Sequence, residues 1–214
     1  MLYFLFINLV DYFSFLNVFK YLTVRTGLAM FTSMIIVFAI GTPFINFFSL
    51  KKIHEPIRND GPEEHIIKKI GTPTMGGVLI LLGLFLSALL WCDLTSPLIW
   101  FITFITFSFG LIGAFDDIKK IKTKNSAGVS LKIKILLQVI IAFIGICILY
   151  LYSDFDEIKN LYFPFFKNLI INLGWFFVPF YLFVIIGSSN AVNLTDGLDG
   201  LATVPVILVA SCFA

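Results

Sequence analysis

Long apolar runs separated by short polar segments dominate this chain of 214 residues. Six runs contain no charged side chain, and they occupy residues 26–50, 70–92, 94–115, 135–153, 168–195 and 200–214. A helix needs about 20 mainly apolar residues to cross a bilayer. The pattern therefore predicts an all-α, polytopic transmembrane helical bundle, with five full spans and a shorter sixth. We expect residues 1–214 to form a single integral membrane domain.

Composition supports the membrane assignment. Hydrophobic residues make up 59% of the chain and charged residues only 13%, with a mean hydropathy of +0.99. A soluble domain carries about 25% charged residues, so the lipid bilayer is the first predicted partner. Isolated charges among aromatic residues in "DYFSFLNVFKYL" predict an interfacial helix near the amino terminus. The net charge of +2 gives no reason to expect a nucleic-acid partner.

The basic residues predict the orientation of the chain. Eleven of the fifteen Lys and Arg residues fall in two loops, at Lys51, Lys52, Arg58, Lys68 and Lys69, and at Lys119, Lys120, Lys122, Lys124, Lys132 and Lys134. Short loops rich in Lys and Arg remain in the cytoplasm. Counting crossings from these loops places residues 51–69, 116–134 and 190–200 on the cytoplasmic face. The same count places "CDLTSP" and residues 154–167 outside.

Two adjacent aspartates end the third apolar run, in "GAFDDIKKIKTK". A carboxylate at the bilayer centre costs about 2.5–3.5 kcal/mol, so Asp116 and Asp117 are expected at the membrane rim. Successive helical residues point about 100° apart, so the two carboxylates should have different partners, and Lys120 can reach either one. The lysines that follow can bind anionic lipid head groups or a diphosphate. The alternative is a solvated helix end with lysines that only set the topology.

A second polar segment, "NAVNLTDGLDG", follows the fifth apolar run. Its amides and carboxylates recur every third residue, at Asn190, Asn193, Asp196 and Asp199. Gly197 and Gly200 disfavour a helix that continues through the segment. We expect a helix end that opens into a tight loop whose oxygens converge as hard-cation ligands do; a capped helix with Asx turns is the alternative. Carboxylates and lysines at a membrane face suggest phosphoryl chemistry with Mg²⁺.

Three segments, "RNDGPEEH…KK…GTPTMGG", "GAFDDIKK" and "NAVNLTDGLDGLA", occur in this order. Together they resemble the phospho-N-acetylmuramoyl-pentapeptide-transferase family, within the polyprenyl-phosphate N-acetylhexosamine-1-phosphate transferases of glycosyltransferase family 4. The resemblance implies a ten-helix fold in the bacterial inner membrane, a cytoplasmic active-site cleft and a homodimer when full length. It also implies Mg²⁺-dependent transfer of phospho-MurNAc-pentapeptide from UDP-MurNAc-pentapeptide to undecaprenyl phosphate, giving lipid I and UMP.

The resemblance also implies roles for individual residues. Asp116 resembles the base that deprotonates the lipid phosphate, Asp117 its essential neighbour and a metal ligand, and Lys134 a catalytic cation. Asn193 resembles a second metal ligand. The substrate-binding positions implied are Lys68, Lys69, Lys120, Lys132, Asn190, Asp196, Gly197, Leu198 and Asp199. The spacing leaves open whether Lys68 or Lys69, and whether Lys132 or Lys134, matches the family cation.

Other functions are compatible with parts of the sequence. A sister transferase that uses UDP-N-acetylglucosamine shares the aspartate pair and the Asn/Asp loop. A cation transporter would be expected to carry charges near the middle of its spans, whereas here the charges cluster at span ends. The 15 residues of 200–214 cover about 22 Å of a roughly 30 Å core. We therefore expect the amino-terminal part of the family fold, with an inactive truncated remnant as a further alternative.

Overall fold

The computed structural model describes residues 1–50, 75–123, 128–152, 155–163, 165–195 and 201–213. Helices dominate these ranges: α1 (Leu2–Leu9), α2 (Leu22–Leu50), α3 (Gly76–Trp91), α4 (Pro97–Thr123), α5 (Leu131–Tyr152), α6 (Phe155–Ile158), α7 (Phe177–Thr195) and α8 (Thr203–Phe213). Short 3-10 helices cover Ser14–Lys20 and Gly174–Phe176, and two strands, β1 (Asn160–Phe163) and β2 (Phe166–Asn172), form a hairpin. The predicted all-α, polytopic class is confirmed, with this hairpin as the addition.

The long helices have the length and composition of membrane spans. Four helical segments meet both criteria: Leu22–Leu50, Pro97–Thr123, Leu131–Tyr152 and Gly174–Thr195. Helices α3 and α8 are equally apolar but shorter. Large apolar side chains on these helices face outward, as Phe38 and Phe183 do at 73% and 78% exposure. A bilayer would cover such side chains, and a helix satisfies its own backbone there.

The chain divides into two compact units, Met1–Thr95 with Thr106–Lys134, and Ser96–Ile105 with Ile135–Ala214. In the first unit, α2 and α3 approach closely at Gly83. A Cβ atom on Gly83 would lie 3.0 Å from Val37 Cγ2 and 3.3 Å from the backbone oxygen of Ser33. Small residues at helix contacts let two backbones approach within a membrane. Gly83 therefore sets the spacing of this helix pair.

The connection between α3 and α4 is a short turn organised by Asp93. The Thr95 hydroxyl and backbone N–H both donate to Asp93 Oδ1, at 2.7 Å and 3.1 Å. Both hydrogen bonds favour the charged carboxylate and hold the pKa of Asp93 below its ordinary value, and the bond from the Thr95 hydroxyl has the larger effect. The Asp93 carboxylate thus accepts hydrogen bonds from groups of Thr95 in the turn between α3 and α4.

The second unit has its own small core. Its buried residues are Ile146 and Leu149 of α5, Ile158, and Phe177, which is only 1% exposed. The Tyr181 hydroxyl donates to the backbone oxygen of Ile158 at 2.9 Å. These contacts attach the segment before the hairpin to the first turns of α7.

The hairpin lies where the sequence predicted the start of the fifth span. Strands β1 and β2 are antiparallel, with Leu161 opposite Ile171 and Asn160 opposite Asn172. The Asn172 side chain donates to Asn160 Oδ1 at 3.0 Å. The charge-free run 168–195 is therefore not helical throughout, because β2 occupies its start and α7 begins at Phe177. A charge-free run containing β-branched residues cannot be assigned to helix or strand by hydropathy alone.

Candidate functional site

The aspartate pair lies on the last turns of α4. This helix has 27 residues, so it is about 40 Å long and exceeds the roughly 30 Å apolar core of a bilayer. Its charge-free part ends at Phe115, and residues 116–123 contain all of its charges. The structure thus places Asp116 and Asp117 in the last turns of α4, and their position at the membrane rim stays a prediction.

Lys120 bridges the two carboxylates. Its Nζ lies 2.9 Å from Asp116 Oδ2 and 3.8 Å from Asp117 Oδ1. The side chains of Asp116, Lys120 and Asp117 are 14%, 20% and 31% exposed. The prediction that Lys120 can reach either aspartate is confirmed. Asp117 is the more accessible carboxylate, and Asp116 is the more enclosed.

Asp116 also contacts the segment that leads into α5. The backbone N–H of Val129 donates to Asp116 Oδ1 at 2.7 Å. Gly128, next to Val129, has a φ of +58°, a conformation that glycine adopts without strain. Burial opposes ionisation of the Asp116 carboxyl, while the Lys120 and Val129 contacts favour the charged form. The Asp116 carboxylate thus contacts Lys120 on α4 and the backbone of Val129, which precedes α5.

Two lysines occupy the first turns of α5. Lys134 donates its backbone N–H to Ser130 O at 3.0 Å, which begins the helix. Lys132 is exposed and Lys134 is half-buried, with its charge acting on Asp116. Positive charges are unfavourable at a helix amino terminus, where the dipole favours anions. A bound anion would offset this repulsion, and of the two cations Lys134 is the one whose charge acts on Asp116.

Asn190 and Gln138 form a polar contact in the second unit. Asn190 Nδ2 donates to Gln138 Oε1 at 2.8 Å and to the backbone oxygen of Ile186 at 2.9 Å. Gln138 is 2% exposed. The sequence analysis assigned substrate binding to Asn190 and overlooked Gln138. The signal was present, since Gln138 is the one amide inside an otherwise apolar run at 135–153.

The remaining predicted residues are placed only in part. Asn193 lies exposed in the last turn of α7, which ends at Thr195. The implied binding residues Lys68, Lys69, Asp196, Gly197, Leu198 and Asp199 lie outside the described residues. Within the described ranges, no three His, Cys, Asp or Glu side chains are grouped as a metal site. The implied metal roles of Asp117 and Asn193 stay predictions.

Apolar helices of spanning length, one of which ends in a carboxylate–lysine cluster, indicate a multi-pass membrane protein. Comparison with known families makes the class specific. Residues 99–214 match the sequence profile of glycosyl transferase family 4, so the chain belongs to that family. Residues 69–81 match phospho-N-acetylmuramoyl-pentapeptide-transferase signature 1.

Curated relatives agree with the family match. A phospho-N-acetylmuramoyl-pentapeptide-transferase of Pelagibacter ubique is 71% identical over 100% of this chain, which spans 59% of that protein. Proteins of the same name from Caulobacter vibrioides and Rickettsia montanensis are 49% and 52% identical over 92% of this chain, which spans 55% of each. The chain therefore spans less than two thirds of the length of these relatives. The resemblance of the three segments to this family is confirmed.

Proposed function

We propose that this protein transfers phospho-MurNAc-pentapeptide from UDP-MurNAc-pentapeptide to undecaprenyl phosphate in peptidoglycan synthesis. A phosphate oxygen of the lipid bonds to the β-phosphorus of the nucleotide sugar. The bond from that phosphorus to the bridging oxygen breaks, and UMP leaves with the electron pair. The products are lipid I and UMP. The relatives' shared name and the family signature support this choice.

One observation carries the proposal at the level of the site. Lys120 lies between Asp116 and Asp117, and Lys134 follows at the start of α5. Phosphoryl transfer depends on positioning and on offsetting the charge of the phosphate oxygens. Lys120, Lys132 and Lys134 supply positive charge for a diphosphate. A soluble nucleotide and a lipid phosphate can both reach this cluster, because it lies at the polar end of a span.

The described residues fit a Mg²⁺ ion that is held largely by the substrate. Mg²⁺ binds through one or two carboxylates together with substrate phosphates, and Asp117 is a partly exposed carboxylate beside the lysines. We propose Asp117 as its carboxylate ligand and Asn193 as an amide ligand. When bound, the ion would supply charge compensation on the phosphate oxygens. Lys134 would hold the diphosphate.

The proposal includes a location and further partners. We propose the bacterial inner membrane, with residues 116–134 and 190–200 in the cytoplasm, because basic loops remain there. We propose Asn190, Asp196, Gly197, Leu198 and Asp199 as nucleoside-binding residues and Lys68 or Lys69 as a nucleotide contact, since the resemblance covers them. A homodimer is the proposed assembly.

The test is a labelled-phosphate transfer assay on the purified protein. UDP-MurNAc-pentapeptide carrying ³²P in the β-phosphate is incubated with undecaprenyl phosphate and Mg²⁺. The label should enter the lipid extract while unlabelled UMP is released. Release of labelled UDP would overturn phosphoryl transfer, and turnover of UDP-N-acetylglucosamine instead would indicate the sister activity. Asp117→Asn should lower turnover at least 10²-fold, with Asp93→Asn as the matched carboxylate control; equal rates would remove the role of Asp117.

A further inference from the structure

We propose that Asp116, Gly128 and Val129 form a latch that positions the lysines of α5, with Asp116 as a positioning residue. The inference deepens the proposed function and rests on it for its activity assay. It assigns a role to Gly128, which the resemblance leaves without one.

The first argument is that both oxygens of Asp116 are engaged. Oδ1 accepts the Val129 N–H at 2.7 Å, and Oδ2 pairs with Lys120 Nζ at 2.9 Å. Asp116 thus holds the backbone at residue 129 through one oxygen and Lys120 of α4 through the other. One side chain therefore joins the last turns of α4 to the segment that precedes α5.

The second argument is the crowding around Gly128. A Cβ atom built on Gly128 would lie 2.4 Å from Asp116 Oδ1, 2.9 Å from Asp116 Cγ and 3.0 Å from Lys120 Cε. The φ of +58° adds backbone strain for any residue with a side chain. The backbone at Gly128 therefore closes directly onto the carboxylate. Any side chain at position 128 would displace Asp116, Lys120 or the segment itself.

The third argument is what the latch holds. Val129 directly precedes Ser130, whose oxygen accepts the first backbone bond of α5 from Lys134. Fixing Val129 therefore fixes the start of the helix on which Lys132 and Lys134 lie. A displacement of about 1 Å in a positioning group can lower the rate by roughly 10²-fold. The latch thus sets where the α5 cations meet the diphosphate.

The experiment compares two glycine variants and one aspartate variant. Gly128→Ala adds the crowding methyl group, whereas Gly113→Ala adds a methyl group on α4 where no atom lies within 4 Å. Asp116→Ala removes the acceptor of the Val129 N–H. KM for UDP-MurNAc-pentapeptide and kcat are measured for each variant. Protection of the Val129 amide from hydrogen exchange is measured alongside.

A positioning role predicts a specific pattern. Gly128→Ala should raise KM about 10-fold or more with a smaller change in kcat, while Gly113→Ala matches the wild type. Asp116→Ala should share the KM defect. KM of the double variant should be no higher than that of the more affected single variant, because both changes break one unit. Val129 should exchange faster in both single variants.

Other results overturn the latch. An unchanged KM in Asp116→Ala would remove the role of Asp116. A wild-type KM in Gly128→Ala would remove the role of Gly128. If Gly128→Ala does not fold, unchanged Val129 exchange in Asp116→Ala still refutes the latch. Wild-type protein that releases no UMP refutes the proposed function instead, and the exchange data then test the latch independently.

Discussion

The contact between Gln138 and Asn190 allows a quantitative prediction about the second unit. Removing Gln138 leaves the Asn190 amide with its other acceptor, the Ile186 oxygen at 2.9 Å. Removing Asn190 instead leaves the oxygen of a 2% exposed glutamine without the donor at 2.8 Å. An unsatisfied buried polar group costs more than a lost hydrogen bond. Asn190→Ala should therefore lower the free energy of unfolding more than Gln138→Ala.

The magnitudes follow from interhelical hydrogen bonds in membranes. Such bonds contribute about 0.6 kcal/mol on average and at most about 1.7 kcal/mol. We expect Gln138→Ala to fall within that range through this bond, and Asn190→Ala to cost about 1–3 kcal/mol. The free energy of unfolding is measured by titrating purified protein with SDS in mixed micelles. Ser188→Ala, at an exposed position of α7, is the control.

The double variant isolates the contact. A coupling free energy of about 0.6–1.7 kcal/mol between positions 138 and 190 is the expected result. Additive effects within about 0.3 kcal/mol would show that the two amides do not interact. Equal losses of unfolding free energy in Asn190→Ala and Gln138→Ala would refute this reasoning, in which Asn190 keeps the Ile186 oxygen as a second acceptor.

Two further predictions concern α5 and its neighbour α4. Lys134→Gln should raise KM for the nucleotide sugar about 10-fold, and more than Lys132→Gln does. The reason is that Lys134 is the half-buried lysine of the two and its charge acts on Asp116. Steady-state kinetics that show the reverse order would contradict this assignment. Gly113→Ala, at an open helical position, should raise the free energy of unfolding by about 0.5–1 kcal/mol. Gly145→Ala should fall below Gly113→Ala by about 1 kcal/mol, because its Cβ would lie 2.6 Å from Ile105 Cδ1. Equal effects of the two glycine variants in the SDS titration would show that packing at position 145 does not matter.

Hydropathy predicted the helices because a membrane span is defined by its own composition. Each of the six charge-free runs contains a helix in the described residues. The hairpin was missed because "NLIIN" carries no charge and runs directly into the fifth apolar segment, and its strand identity depends on pairing with residues 160–163. Cross-strand partners are not visible in the composition of a single window.

The contacts of the candidate site also differ in how far the sequence could predict them. The contact of Lys120 with Asp116 follows from helical spacing and was predictable. The bond from Val129 to Asp116 joins positions 13 apart and depends on the left-handed backbone at Gly128. The bond between Gln138 and Asn190 joins positions 52 apart and depends on how α5 and α7 pack. Local periodicity predicts contacts within a helix, whereas these two contacts required the folded chain.

The central claim is that residues 116–134 and 190–200 face the same side of the membrane, and thiol labelling in spheroplasts tests it directly. The native Cys92, Cys147 and Cys212 are replaced by alanine, and single cysteines are introduced by the exposed substitutions Thr123→Cys, Thr195→Cys and Phe165→Cys. We predict that an impermeant maleimide labels Phe165→Cys in intact spheroplasts, and labels the two threonine variants only after permeabilisation. Labelling of Thr123→Cys and Thr195→Cys from opposite sides would contradict the proposed phosphoryl-transfer site.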